Sequence, residues 1–202
     1  DRKMLKSRSG EPLKFIDLLN EAVSRADDAI AEKNPDLAAD DRERVARMVG
    51  IGAVKYADLS TDRVRDYVFE WERMLSFDGN TAPYLQYAHA RICSIFRRAG
   101  IDRSSIAATQ LRLVETQERD LALRILGFDA AIIDTLERYS PHRLCTYLYE
   151  LSTAFTAFYE HCPVLKADDE SVRASRLALC DLTARVLHRG LDLLGIEAPE
   201  QM

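Results

Sequence analysis

From Leu13 onward, apolar residues recur every three or four positions. Phe15, Leu18, Leu19, Ala22, Val23, Ala26 and Ile30 share one face, and Asp17, Glu21, Arg25, Asp28 and Glu32 share the other. That period predicts an amphipathic helix. It should stop at Asn34-Pro35, because proline disfavours helix in the residue before it. An acidic linker follows, in which Asp40 and Asp41 can cap a second helix with Val45, Met48 and Val49 on its apolar side. Gly50 and Gly52 then invite a dinucleotide-loop reading. The third glycine and a preceding strand are both missing, so close helix packing is the better account. Arg63 to Leu75 mixes charge with Tyr67, Val68, Phe69 and Trp71, and part of it is expected to be extended.

The most informative stretch is Ser76 to Phe96, S-F-D-G-N-T-A-P-Y-L-Q-Y-A-H-A-R-I-C-S-I-F. Asp78-Gly79-Asn80 is a turn signal, Asn80 or Thr81 can cap a helix, and Pro83 falls in its first turn. Leu85, Ala88, Ile92, Ile95 and Phe96 form the apolar stripe. Tyr84, Gln86, Tyr87, His89 and Arg91 lie off it, a set suited to stacking on bases and gripping phosphates. Ala99-Gly100 marks the C-cap.

Thr116 to Glu118 opens a further helix with Leu121, Ile125 and Leu126 inward, broken at Gly127-Phe128-Asp129. Ala130 to Arg138 carries Ile132, Ile133 and Leu136. Ser140-Pro141 starts a long aromatic helix with the spine Leu144, Leu148, Leu151, Phe155 and Phe158. Pattern alone favours core packing for such aromatics over a binding surface. Cys162-Pro163 ends it. Ser171 is expected to cap a last helix with Val172, Leu177, Leu179, Leu182, Val186, Leu187 and Leu191, and Gly195 follows its end.

Composition narrows the chemistry. The 202 residues suffice for one large domain or two small ones, and a net charge of −5 leaves no general basic footprint. A nucleic-acid role therefore needs a local patch. Apolar runs are too short to span a bilayer. Cys93, Cys145, Cys162 and Cys180 are dispersed without a C-x-x-C pair, which reads as packed, reduced thiols of a cytoplasmic protein. His161 and Cys162 are adjacent on a helix and so point about 100° apart, which excludes a nucleophile–base pair. No metal site is expected. The chain opens at Asp1 in a polar, basic stretch and reads as part of something longer.

The block G-N-T-A-P-Y-L-Q-Y-A-H-A-R, residues 79–91, resembles the junction between catalytic and anticodon-binding domains of arginyl-tRNA synthetases, a class I family. K-M-L-K-S-R-S-G, residues 3–10, resembles a degenerate K-M-S-K-S loop. P-H-R-L-C-T-Y-L-Y-E-L-S-T-A-F-T-A-F-Y-E-H-C-P-V-L and R-L-A-L-C-D-L-T-A-R-V-L are similar to the last helices of the anticodon-binding domain named for its D-A-L-R motif.

The resemblance implies an all-α chain. Residues 1–75 would be the end of the catalytic domain, a signature loop and a mainly helical stem-contact segment. Residues 76–202 would be an antiparallel DALR helix bundle. It further implies that Lys6 and Arg8 stabilise the ATP phosphates, with Ser7 and Ser9 in the same loop. Tyr84, Gln86, Tyr87, His89 and Arg91 would contact tRNA or lock the domain junction. Tyr147, Phe155, Phe158, Tyr159 and Met202 would surround the anticodon. The implied partners are tRNA-Arg, L-arginine and ATP with Mg2+, in a monomer with no membrane. The chain has no H-I-G-H signature, so it should be inactive alone and hold no cofactor. Two alternatives remain open: a helical protein-interaction module, and the equivalent domain of another class I enzyme such as the cysteinyl one.

Overall fold

The computed structural model describes residues 14–66, 69–106, 110–167 and 169–202. Its regular elements are all helical: α1 (Phe15–Lys33), α2 (Ala39–Leu59), α3 (Trp71–Met74), α4 (Ala82–Ala99), α5 (Thr116–Leu126), α6 (Phe128–Arg138), α7 (Pro141–His161) and α8 (Glu170–Leu193). The segment expected to be partly extended instead forms the single turn α3, with Phe69 edge-on to Trp71.

α1 and α2 form an antiparallel pair. Their backbones approach so closely at Gly50 that a Cβ there would lie 2.7 Å from the Ala22 carbonyl carbon and oxygen. Eight residues before Gly50, Arg42 pairs at 2.9 Å with Asp27, five residues after Ala22, as an antiparallel pair requires. Ala26, Ile30, Val45, Ala46 and Val49 fill this seam. The helix starts differ from expectation at two places. α2 starts at Ala39 without a side-chain cap, and Asp40 and Asp41 lie in its first turn, where carboxylates favour the positive end of the helix dipole. α8 is capped by Asp169, whose carboxylate accepts from the Ser171 and Val172 N–H groups, so Ser171 is not the cap.

The larger core joins α2, α4, α5, α7 and α8. Phe96, Leu148, Leu151, Phe155, Phe158, Leu179 and Leu187 are buried in it. α7 and α8 are antiparallel and meet closely, since a Cβ on Gly190 would strike Leu148. α4 and α7 rise together: Tyr84 meets Tyr149, and seven residues on Arg91 meets Tyr159. α6 lies at the edge of this core, on which Phe128, Ala131 and Ile132 pack. Ile133 and Leu136 are 55 and 65% exposed, and Leu126 of α5 is 77% exposed, which corrects its inward assignment. Periodicity marks an apolar face, but among the described residues no element covers these three side chains.

Two buried polar contacts tie the bundle. Glu118 closes a capping box at the start of α5 and is fully buried; its Oε2 accepts from the Val114 and Glu115 N–H groups. Its Oε1 accepts from Arg176 Nε of α8 at 2.6 Å. Tyr56 of α2 places its hydroxyl 2.6 Å from Asn80 Oδ1 and 2.9 Å from the Cys145 carbonyl. The four cysteines are free and buried, and burial pushes the Cys145 thiol up to about 12.

Candidate nucleic-acid interface

α4 is the element that positions the site. Thr81 caps it by accepting from Tyr84 N–H at 3.3 Å while donating to the Ser76 carbonyl at 2.6 Å. Pro83 sits in the first turn, where its missing N–H leaves no orphan donor. Gly100 ends the helix at φ 64°, the left-handed C-cap that glycine adopts without a Cβ clash. Between these ends, helical spacing sorts the polar residues onto two different faces.

One face is open to solvent. Tyr87 is 36% exposed, and Arg91 one turn later lays its guanidinium 4.8 Å from the Tyr87 ring centroid. The same guanidinium is 5.5 Å from the ring of Tyr159, also 36% exposed, on α7. On its other side Tyr87 meets Phe77 edge-on at 6.1 Å, and Lys33, from the last turn of α1, lies 4.7 Å from the Phe77 ring. Lys33, Phe77, Tyr87, Arg91 and Tyr159 therefore form a continuous row in which cations and aromatic rings alternate or touch. Each exposed cation–ring contact holds its partners in place by about 0.5–1 kcal/mol. The row leaves ring faces and N–H donors available for a flat, anionic polymer. Next to Phe77 and Tyr87, Ile30, Asn34 and Met202 complete a small cavity of about 160 Å³.

The other face of α4 is buried, and this corrects part of the sequence reading. Gln86 is inaccessible; its Nε2 donates to the Met48 carbonyl at 3.2 Å and the Glu197 carbonyl at 2.7 Å. His89 is 2% exposed, with Nδ1 3.0 Å from the Pro199 carbonyl. A carbonyl only accepts, so Nδ1 carries the proton, and the Cys93 sulfur lies 3.8–4.0 Å from the two ring nitrogens. Burial lowers the His89 pKa against the pull of the Pro199 carbonyl, and Arg103 reinforces the lowering. The ring is neutral near pH 7. Neither side chain can reach a base. Both lock the C-terminal segment.

On α7 the same sorting applies. Phe155 and Phe158 are fully buried, and Tyr147 is buried with its hydroxyl donating to the Arg124 carbonyl at 2.8 Å. These three cannot surround an anticodon; they form the core under the surface, and Phe155 supports Tyr159 at 6.0 Å. Tyr84 is half-buried against Tyr149, with its hydroxyl 3.3 Å from Thr156 Oγ1, so it braces α4 on α7. Lys6, Ser7, Arg8 and Ser9 lie outside the described residues. Phe77 and Lys33 were missed by sequence reasoning. Phe77 stood inside the most informative stretch, ahead of the helix, but Lys33 gave no local signal.

Among the described residues no group of three or more His, Cys, Asp or Glu side chains could hold a metal ion, so none is assigned to Mg2+. No helix among them is long and apolar enough to cross a membrane.

Comparison with known proteins places this geometry in a family. Residues 85–202 match the DALR anticodon binding domain, and residues 1–71 match the catalytic domain of class I (R) tRNA synthetases. Curated arginine--tRNA ligases of Shigella dysenteriae and Escherichia coli are each 52% identical over all 202 residues, and the chain spans 35% of their length. The solved arginyl-tRNA synthetase of Thermus thermophilus superposes with a TM-score of 0.87 at 39% identity, covering 95% of this chain and 32% of that one. That of Plasmodium falciparum gives 0.83 at 34% identity, covering 94% and 34%. Tyr87, Arg91 and Tyr159 of the row lie within the matched residues 85–202, Lys33 and Phe77 ahead of them, and the chain belongs to the DALR anticodon-binding domain family.

Proposed function

We propose that this chain supplies the anticodon-end RNA contact of an arginine--tRNA ligase, the enzyme that attaches L-arginine to tRNA-Arg at the expense of ATP with Mg2+. The observation that carries the proposal is the open row Lys33–Phe77–Tyr87–Arg91–Tyr159. Unstacked anticodon bases bind by stacking on aromatic rings and guanidinium planes, and Arg and Lys meet the phosphates between them. An overall charge of −5 does not oppose this, because a local site needs only local cations, and Lys33 and Arg91 lie among the rings.

The division of labour proposed is as follows. Tyr87, Arg91, Tyr159 and Met202 face the RNA, and Phe77 and Lys33 join them. Tyr84 braces the platform. Lys6 and Arg8, with Ser7 and Ser9 in the same loop, are assigned to the ATP phosphates on the resemblance of that loop alone. A boundary near residue 75 separates the catalytic-domain part from the bundle. It is supported by the separate α1–α2 seam; the larger core draws on Ala82 onward, with Tyr56 of α2 crossing the boundary into it. A protein-facing role is the second reading, favoured by the uncovered apolar face of α5 and α6 at Leu126, Ile133 and Leu136.

The test is binding of a labelled tRNA-Arg anticodon stem-loop and of a non-cognate stem-loop, each at low and high salt. Loss of one stacking partner costs about 1–3 kcal/mol. Tyr87→Ala, Arg91→Ala and Tyr159→Ala are therefore expected to weaken binding about 5- to 150-fold, with a salt-dependent Kd. Binding unchanged in all three variants would sink the proposal.

A further inference from the structure

The five last carbonyl contacts of the chain share a feature that the RNA-binding reading leaves unused. Lys55 Nζ donates to the Gly195 carbonyl, and Gln86 Nε2 to the Glu197 carbonyl at 2.7 Å. His89 Nδ1 donates to the Pro199 carbonyl at 3.0 Å, Arg97 Nη1 to the Glu200 carbonyl at 2.8 Å, and Asn34 Nδ2 to the Met202 carbonyl at 3.1 Å. Every acceptor is main chain, and those at 195, 197 and 199 are two residues apart, the period of extended chain. The donors come from α1, α2 and α4, so one tail is stitched to both hydrophobic clusters. Ile196 plugs into the large core, while Met202 packs on the α1–α2 seam.

We propose that residues 195–202 are a strap, and that Gln86 and His89 are positioning residues which hold its backbone so that Met202 lies beside Tyr87 and Phe77 on the RNA face. This rests on the RNA-binding reading above. Gln86 and His89 are themselves buried donors, His89 in a fully buried bond to the Pro199 carbonyl and Gln86 in a half-buried bond to the Glu197 carbonyl. A buried acceptor that loses its donor is costly, so the strap leaves its seat when either donor is removed. Holding carbonyls rather than side chains fixes the path of the tail and leaves the Met202 side chain to line the cavity with Ile30 and Tyr87. Cys93 packs against this arrangement: Arg103 Nη1 donates to its sulfur at 3.7 Å, and the sulfur lies 3.8–4.0 Å from the two ring nitrogens of His89.

The experiment uses the full chain with carbon-13 methionine methyl labels, the four methionines being assigned by substitution. The methyl contact of Met202 with Ile30 reports the strap, and stem-loop affinity reports the site. His89→Leu and Gln86→Leu are expected to lose the methyl contact and to bind RNA about tenfold more weakly. His89→Asn keeps a donor at the Nδ1 position and should retain both. Phe155→Leu, a core variant, should lower the melting temperature without moving Met202, separating a positioning effect from general loosening. A Met202 methyl that stays against Ile30 in His89→Leu overturns the proposal, whatever the affinity does. If the unsubstituted chain binds no stem-loop, the RNA-binding reading fails while the methyl contact still decides the strap.

Discussion

Removing the Glu118 carboxylate should be among the most damaging single changes to this fold. Glu118 is fully buried, and its two oxygens accept from Arg176 Nε at 2.6 Å and from the Val114 and Glu115 N–H groups at 2.6 and 2.9 Å. Arg176 is 7% exposed, and its other anchor is the Pro163 carbonyl at 2.9 Å. Glu118→Ala therefore strands a buried guanidinium and two backbone donors. Breaking one side of a buried pair costs about 3–5 kcal/mol. For a chain of this size that corresponds to about 6–20 °C in Tm. Urea unfolding monitored by circular dichroism measures it directly, with m unchanged. Glu118→Met with Arg176→Met together should cost less than the sum of the singles, because no unpaired charge remains.

The pH dependence of this loss follows from the sign of the shift. Burial pushes the Glu118 carboxyl up, but the Glu115 N–H, Arg176 and the Val114 N–H outweigh it and hold the pKa below the ordinary value. The stabilisation is therefore fully present above the unfolded-state value of about 4.3 and fades as the pH falls through the folded one. The gap between the parent and Glu118→Ala should narrow in acid. A loss under about 1 kcal/mol at pH 7, or a gap that widens in acid, would refute the reasoning.

Two further expectations concern close contacts. Gly50→Ala places a Cβ 2.7 Å from the Ala22 carbonyl group, where only backbone can yield, so it should destabilise by about 1–3 kcal/mol in thermal melts. Tyr56→Phe removes the hydroxyl shared by Asn80 and the Cys145 carbonyl across α2, α4 and α7, and should lower stability by about 1–3 kcal/mol in the same assay.

Much of the fold was legible because helix information is local. The 3.6-residue period placed α1, α4, α7 and α8, Thr81 and Gly100 marked the ends of α4, and Gly50 announced close packing. Caps were read less well. Asp169 takes the role expected of Ser171, since both residue types bond backbone N–H groups and two residues separate them. α3 was hidden because a single turn has too few residues to show a period.

What the chain determined by itself was which residues lie off the apolar stripe of α4. Which of those meet solvent was decided by tertiary structure alone. Gln86 and His89 looked as accessible as Tyr87 and Arg91, yet a tail more than 100 residues away covers them and turns them inward. On α7, Phe155 and Tyr159 are one turn apart; the apolar spine held the first and not the second, and packing made one core and left the other 36% exposed. Phe77 and Lys33 joined the site only when α1 folded back beside α4. Periodicity assigns a residue to a face of its own helix; the burial of that face depends on which distant segment arrives, and a binding surface is what remains when none does.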